Sequence, residues 1–298
     1  MRNCATICYH RILDGFSTEF DTIEAYHYQR NILHSLADFR NQLDLLQDKC
    51  TIVDPEKFLQ CRAGKILSKP AVLLTFDDGY EDFATIVMPE LSLRGLPCVL
   101  FPTKAPVTHG FIPPADQVYA ILAADYRGHR RLTIEQRKSW VEGDFKKKLL
   151  SAGPSEQFKL ITELSNSVGV FQLPEGPRHL TAAQINNLPD NVYLGAHGLY
   201  HHEFGSLTPY ELRNELNEII SWVQFLRPKQ KNGVWLAYPN GKSDRSTNPG
   251  DVTNLVREAG VDFAFTASFE LSDDDKGDLV IPRIFSKNGI DWLRSIWQ

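Results

Sequence analysis

Apolar residues in this chain fall into short runs separated by stretches of helical spacing. Ala71-Val-Leu-Leu74, after Pro70, reads as a buried strand, and the segments 98–101 and 192–196 read the same way. Leu33, Leu36, Phe39, Leu43 and Leu46 recur at three- and four-residue intervals, which predicts a helix over 33–46, and a second helix is expected over 86–93. The later chain repeats the alternation, with helices over 209–226 and 251–259 and strands over 233–237 and 262–266. With a first strand over 5–9, this order predicts parallel strands of an α/β fold. Over about 103–180 the rhythm breaks. A polar, helix-rich stretch with markers at 116–122, 135–148 and 156–164 reads as an insertion, serving either as a lid or recognition cap or as a plain decoration or oligomer contact.

Composition adds that the chain is an ordinary globular one, with 42% hydrophobic and 23% charged residues. Its 298 residues suit a single (β/α) barrel domain, 1–298, carrying the insertion. A net charge of -5 excludes the basic stripe of a dedicated nucleic-acid protein and leaves an anionic substrate open. The basic clusters 127–131 and 146–148 are either solvated or able to meet a phosphate on a nucleotide- or lipid-linked sugar. Five cysteines without metal-type spacing read as reduced thiols. The first ten residues have no apolar signal region, and no run reaches membrane-span length, so the expected location is the cytoplasm, with no transmembrane segment. Oligomeric state is left open.

The chemistry concentrates in two segments. Thr75-Phe-Asp-Asp-Gly-Tyr80 places Asp77 and Asp78 at the carboxyl end of a predicted strand, where α/β proteins bind ligands. Adjacent carboxylates repel, and a divalent cation removes the conflict; alternatively the segment is a polar Asp-Gly turn. If the strand geometry continues, successive side chains diverge, one to a metal and one to its water. His197-Gly-Leu-Tyr-His201 offers two imidazoles at i and i+4, which share one face of a helical turn, while His202 points elsewhere. An Asp, His, His set leaves coordination positions open, as catalytic metal centres require.

These two segments, in this order, resemble the first two motifs of the polysaccharide deacetylases, the NodB-homology proteins of carbohydrate esterase family 4. The resemblance extends from Tyr9-His10-Arg11 through Glu203–Arg213 and Leu236-Ala-Tyr-Pro-Asn-Gly241 to Ile281-Pro-Arg-Ile284. It implies a distorted (β/α) barrel of the polysaccharide deacetylase type, with Asp77 as general base and Asp78, His197 and His201 as ligands of a divalent metal. Oxygen and nitrogen donors suit Zn first, and also Co, Ni, Mn or Fe. Asn240, following Pro239, is the candidate backbone donor to the oxyanion.

Two departures stand out. No His follows His202, so the late general-acid His common in the family is missing, and His10, as in the exopolysaccharide-deacetylase subset with an N-terminal Tyr-His, is the candidate acid; otherwise it caps a strand. The Arg that usually opens the third motif is replaced by Ala237. Arg283 is the candidate to pair with Asp77, or else a surface ion-pair residue. The expected activity is removal of an N-acetyl group from an amino sugar in a glycan or a nucleotide- or lipid-linked precursor. A deformylase or small-amide hydrolase on the same centre is one alternative, and a catalytically silent glycan-binding protein is another. Trp235, Trp292 and Trp297 either line a sugar groove or pack in the core.

Overall fold

Residues 4–128, 130–172, 175–228, 230–231, 233–243, 251–268 and 277–296 are described by a computed structural model of the chain. Trp297 and the acidic run Asp273, Asp274 and Asp275 lie outside the described residues, as does His129 in the first basic cluster. The strands, in chain order, are β1 (Cys4–Tyr9), β2 (Arg11–Leu13), β3 (Leu33–Ser35), β4 (Thr51–Ile52), β5 (Ala71–Asp78), β6 (Cys98–Pro102), β7 (Val192–Leu194), β8 (Trp235–Ala237), β9 (Phe263–Phe265) and β10 (Ile284–Phe285).

Pairing is parallel throughout these strands, as the βα order requires. β10, β1, β5, β6 and β7 follow one another in one sheet, with β4 also on β5. Single parallel bridges carry the sequence of pairings onward. Ala196, just past β7, bridges Leu236 of β8, and β8 pairs β9. Phe265 then bridges Ile281 and Ser268 bridges Ile284, which returns to β10. The pairings therefore run in a complete circuit, a distorted (β/α) barrel.

Side-chain alternation sorts the barrel into an inside and an outside. On β5, Val72, Leu74 and Phe76 pack outward in the large cluster with the helices, including Phe39, Leu43, Leu216 and Ile219. Ala71 and Leu73 point the other way, into a cluster with Val99, Phe101, Trp235, Ala237 and Phe265. Because the period is two, Thr75 and Asp77 continue the inner row. The inner face of β5 thus changes from apolar to polar toward its carboxyl end, and the site sits there.

The segment 104–168 folds as the helices Lys104–His109, Pro114–Arg127, Ile134–Val141, Asp144–Ser151 and Pro154–Val168. The last four bury Val118, Ile121, Trp140, Leu149 and Leu160 in a cluster of their own, joined by Ile23 and Tyr26. The marker 135–148 of the helix-rich stretch holds parts of two helices, parted at Gly143, which is the N-cap of the second. The helix expected over 33–46 begins at Leu36: Ser35 caps it by accepting from the Asp38 N–H, and Leu33 belongs to β3, paired with β2. Trp235 packs among Phe263 and Phe265 inside the barrel and Trp292 lies against the core, so neither lines a sugar groove. Among the described residues no helix is long and apolar enough to cross a membrane.

His34 shows how tightly the outer wall is sealed. It is fully buried on β3, edge-on to Tyr9, with Nε2 at 2.7 Å from Ser286 Oγ. Burial pushes its imidazole down to about 4. In the unfolded chain the group binds a proton near pH 6.5, so its contribution to stability is full above that pH and is lost as the pH falls toward 4. Denaturant midpoints measured across pH 7 to 4 should fall for the wild type, and the slope should flatten in His34→Gln. Two units of depressed pKa or more are worth on the order of 3 kcal/mol.

Candidate active site

The two carboxylates reach the same cleft by different means. Asp77 arrives by alternation, as the last inward residue of the β5 row. Asp78 would face outward in a regular strand, but its φ of 68° puts it in the left-handed region and turns the chain back. Gly79 follows with φ 77°, and a Cβ there would lie 2.8 Å from the Pro102 Cβ, so only glycine fits beside the end of β6. The strand geometry does not continue through Asp78, and both acids line one cleft.

Arg283 lies between the β9 bridges and β10 and is almost wholly buried inside the barrel. Its guanidinium grips Asp77 as a fork, Nη1 to Oδ1 at 2.6 Å and Nη2 to Oδ2 at 2.7 Å. Nη1 also donates to Thr75 Oγ1, and Nε to the Thr266 carbonyl. Cys8 adds a thiol donor to Asp77 Oδ2 at 3.3 Å. Burial by itself raises the Asp77 carboxyl, but the Arg283 charge overrides it and holds the group down at about 2. Asp77 is an ionised carboxylate in fixed orientation.

The imidazoles do not lie on a helical turn. Residues 197–202 form an irregular loop in which Gly198 (φ 88°) and His201 (φ 62°) take left-handed conformations, and this folds the two rings together at 5.0 Å between centroids. The loop is held from both sides. The Lys104 and Ala105 N–H groups donate to the Gly198 and Leu199 carbonyls, and the Leu199 N–H donates to Glu215 Oε1 at 2.8 Å, from the helix Pro209–Leu226. His197 Nδ1 donates to the Ala237 carbonyl at 2.8 Å, which fixes the tautomer and turns the Nε2 lone pair toward Asp78. His202 turns away and bonds Gln157.

Asp78 Oδ1 lies 3.4 Å from His197 Nε2 and 3.1 Å from His201 Nε2, and the three ligand atoms are within 4.8 Å of one another. That buried oxygen nonetheless accepts no hydrogen bond. Burial opposes charge on Asp78, yet the facing imidazoles hold its carboxyl well below the usual range, and Asp78 in turn raises His201 against the effect of burial. An oxygen and two imidazole nitrogens converging around one point, with one ring braced by a backbone carbonyl, fit a divalent metal, which would take the place of the proton drawn onto His201.

His10 faces the same cleft, buried and stacked on Phe285 at 5.4 Å, with Nδ1 unpartnered among the described residues. Burial pushes its imidazole below the ordinary value. Asn240, in the turn Pro239–Gly241, also lines the cleft and is left-handed (φ 57°). Asp77, Asp78, His197, His201, His10, Arg283 and Asn240 are therefore all at or beside one site. Sequence reading missed Cys8, whose place two residues before His10 on the strand was the available signal. It also missed Tyr80 and Asp116, joined at 3.0 Å in the cleft wall, for which no local pattern exists.

No family model and no curated protein matches the sequence. Solved structures do. The chain superposes on a deacetylase, PplD, of Streptococcus pyogenes with a TM-score of 0.63 at 13% identity, covering 99% of this chain and 96% of that one. A de-N-acetylase from Aggregatibacter actinomycetemcomitans gives 0.60 at 13% identity, covering 98% of each. A polysaccharide deacetylase from Bacillus cereus gives 0.56 at 15%, covering 99% of this chain and 69% of that one. This chain has the polysaccharide deacetylase fold. The Asp77 and Asp78 strand end and the His197 loop lie together around the mouth of this barrel.

The Arg283–Asp77 pair can be tested without any assay of activity. Arg283→Ala leaves a buried carboxylate uncompensated and should cost about 3–5 kcal/mol in denaturant unfolding. Adding Asp77→Ala should recover part of that loss, giving a coupling energy above about 1 kcal/mol in the double-mutant cycle. Additive losses would mean that the fork does not form.

Proposed function

We propose that this chain is a metal-dependent hydrolase that removes the N-acetyl group from an amino sugar in a glycan or a nucleotide- or lipid-linked precursor. The observation that carries this reading is the convergence of Asp78, His197 and His201 on one point beside a carboxylate held ionised by Arg283. A divalent ion held by the three residues, Zn first among the candidates, lowers the pKa of water and polarises a carbonyl.

The other roles belong to the chain's own groups. Asp77 accepts the proton of the attacking water through the part of its carboxylate that the Arg283 fork leaves open, and Arg283 keeps it ionised and oriented. The Asn240 backbone N–H donates to the oxygen that becomes negative as the carbonyl carbon turns tetrahedral. His10, close to Asp77 and free at Nδ1, serves as the acid for the departing amine, passing on the proton that Asp77 takes from the water. The helices Pro114–Arg127 and Asp144–Ser151 supply Pro113-flanked and Lys146-bearing walls to the cleft, and we assign the 103–180 insertion the role of a recognition cap on the single barrel domain. The likeness of fold to a de-N-acetylase and to polysaccharide deacetylases supports the choice of an N-acylated sugar over other amides.

Bound metal per chain and acetate release from N-acetylglucosamine oligomers, with N-formyl sugars in parallel, test the reading together. The wild type should hold about one ion, with Asp78→Ala and His201→Ala losing most of it. Asp77→Asn should keep the ion and lose about 10²- to 10⁴-fold in turnover. Full turnover in Asp77→Asn would remove the base assignment. Stoichiometric metal with saturable glycan binding but no acetate release would favour a silent binder.

A further inference from the structure

One set of cleft residues has no part in that chemistry. Arg30, Lys146 and Lys242 line the same cleft as Asp77 and Asp78. They come from three separate places: the end of the helix Ile23–Gln29, the helix Asp144–Ser151, and the residue after the turn Pro239–Gly241. Their compensation is incomplete. Arg30 faces Glu142 at 3.6 Å, and Lys242 faces Glu203 at 3.0 Å. Lys146 has no carboxylate partner among the described residues. Its Nζ donates to the Tyr119 hydroxyl at 3.1 Å and lies 4.8 Å from the centre of that ring. The charge of Lys146 also reaches Glu203, so Lys146 and Lys242 look onto one region of the wall.

The acids lining the cleft are turned to other partners rather than to these three cations. Asp77 is taken up by Arg283, and Asp78 faces two imidazoles. Asp116 accepts from Tyr80 at 3.0 Å on one oxygen and meets His27 Nε2 at 2.8 Å on the other. Of the three cations, Arg30 and Lys242 each face one carboxylate and Lys146 faces none among the described residues, so the mouth carries a cation without an anionic partner in a chain whose net charge is -5. The chain as a whole repels an anion at long range, so an anion bound here is held by these local charges. The cleft volume of about 180 Å³ admits roughly one sugar ring, which puts whatever is attached to that ring at the cationic rim.

We propose that Arg30, Lys146 and Lys242 form an anion subsite, and that the amino-sugar substrate carries a phosphoryl or carboxylate group beside the ring that enters the cleft. The identity of the acyl group rests on the deacetylase reading; the subsite itself does not, and binding tests it separately.

Calorimetric titrations of the Zn-supplied protein compare N-acetylglucosamine, N-acetylglucosamine 1-phosphate and N-acetylmuramic acid. At least one anionic sugar should bind about tenfold more tightly than the neutral one, and the tighter of the two identifies the source of the anion. The advantage should shrink as salt rises from about 50 mM to about 500 mM, as screening requires. Lys146→Ala should remove most of it, weakening the anionic sugar far more than N-acetylglucosamine, and Lys146→Arg should retain it. Equal affinity for charged and neutral sugars would overturn the proposal. So would an advantage that survives Lys146→Ala and Arg30→Ala but disappears in Asp78→Ala, since the anion would then be sitting on the metal. Failure of the deacetylase reading looks different: charge-selective binding with no acetate released.

Discussion

Two adjacent carboxylates buried at the mouth of a barrel set the terms for everything around them. Asp77 and Asp78 are both nearly inaccessible, and neither can stay ionised there without a positive partner of its own. Asp77 receives a guanidinium fork that satisfies both oxygens at once, a geometry that lysine cannot reproduce. Asp78 receives two imidazoles and presents one oxygen that accepts no hydrogen bond. The division keeps the pair from sharing a single charge: Asp77 is held ionised by Arg283, and Asp78 faces the two imidazoles with an oxygen left over.

Closure of the barrel delivers that fork. Arg283 comes from the last strand region, and its Nε is tied to the Thr266 carbonyl just past β9, so the guanidinium is aimed by the same bridges that join β9 to β10. Where the family resemblance leads one to expect an Arg, the chain has Ala237, whose carbonyl instead braces His197. The cation that faces Asp77 therefore comes from another strand, and the backbone at position 237 serves His197. Left-handed backbone at Asp78, His201 and Asn240 is the accompanying cost, of order 1–3 kcal/mol each for residues with a Cβ. Packing of Gly79 against Pro102, and the hydrogen bonds from Lys104, Ala105 and Leu199, hold the chain in those conformations.

How far this was readable from sequence follows from where the information lies. The apolar runs of β5 and β6 and the helix Pro209–Leu226 are local and were legible. So was the place of Asp77 at the carboxyl end of that first strand, β5. The turn at Asp78 was not, because a left-handed aspartate carries no pattern that distinguishes it from an extended one. The His197–His201 spacing was consistent with a helical turn, and the tertiary hydrogen bonds to the loop decide otherwise. β8, β9 and β10 are two or three residues long, too short for a period to reveal that they complete the circuit. At Leu33, a strand and the following helix share one apolar spacing, and only the Ser35 cap separates them. Tyr80 and Asp116 meet from positions 36 residues apart, beyond any local rule.

The wall that faces the two carboxylates is fixed rather than hinged. Asp116, on the helix Pro114–Arg127, bonds Tyr80 from the first motif and His27 from the helix Ile23–Gln29, while Arg11 contacts His27, Glu24 and Asp82. Arg11 also lies 5.0 Å over the Tyr80 ring, and Tyr26 stacks on Tyr119 across the same junction. A buried network with each member bonded is stiff, since opening it would expose several unpaired charges together. Selectivity at this cleft then depends on what walls of fixed shape and charge admit, and a substrate does not have to supply the free energy of closing a lid.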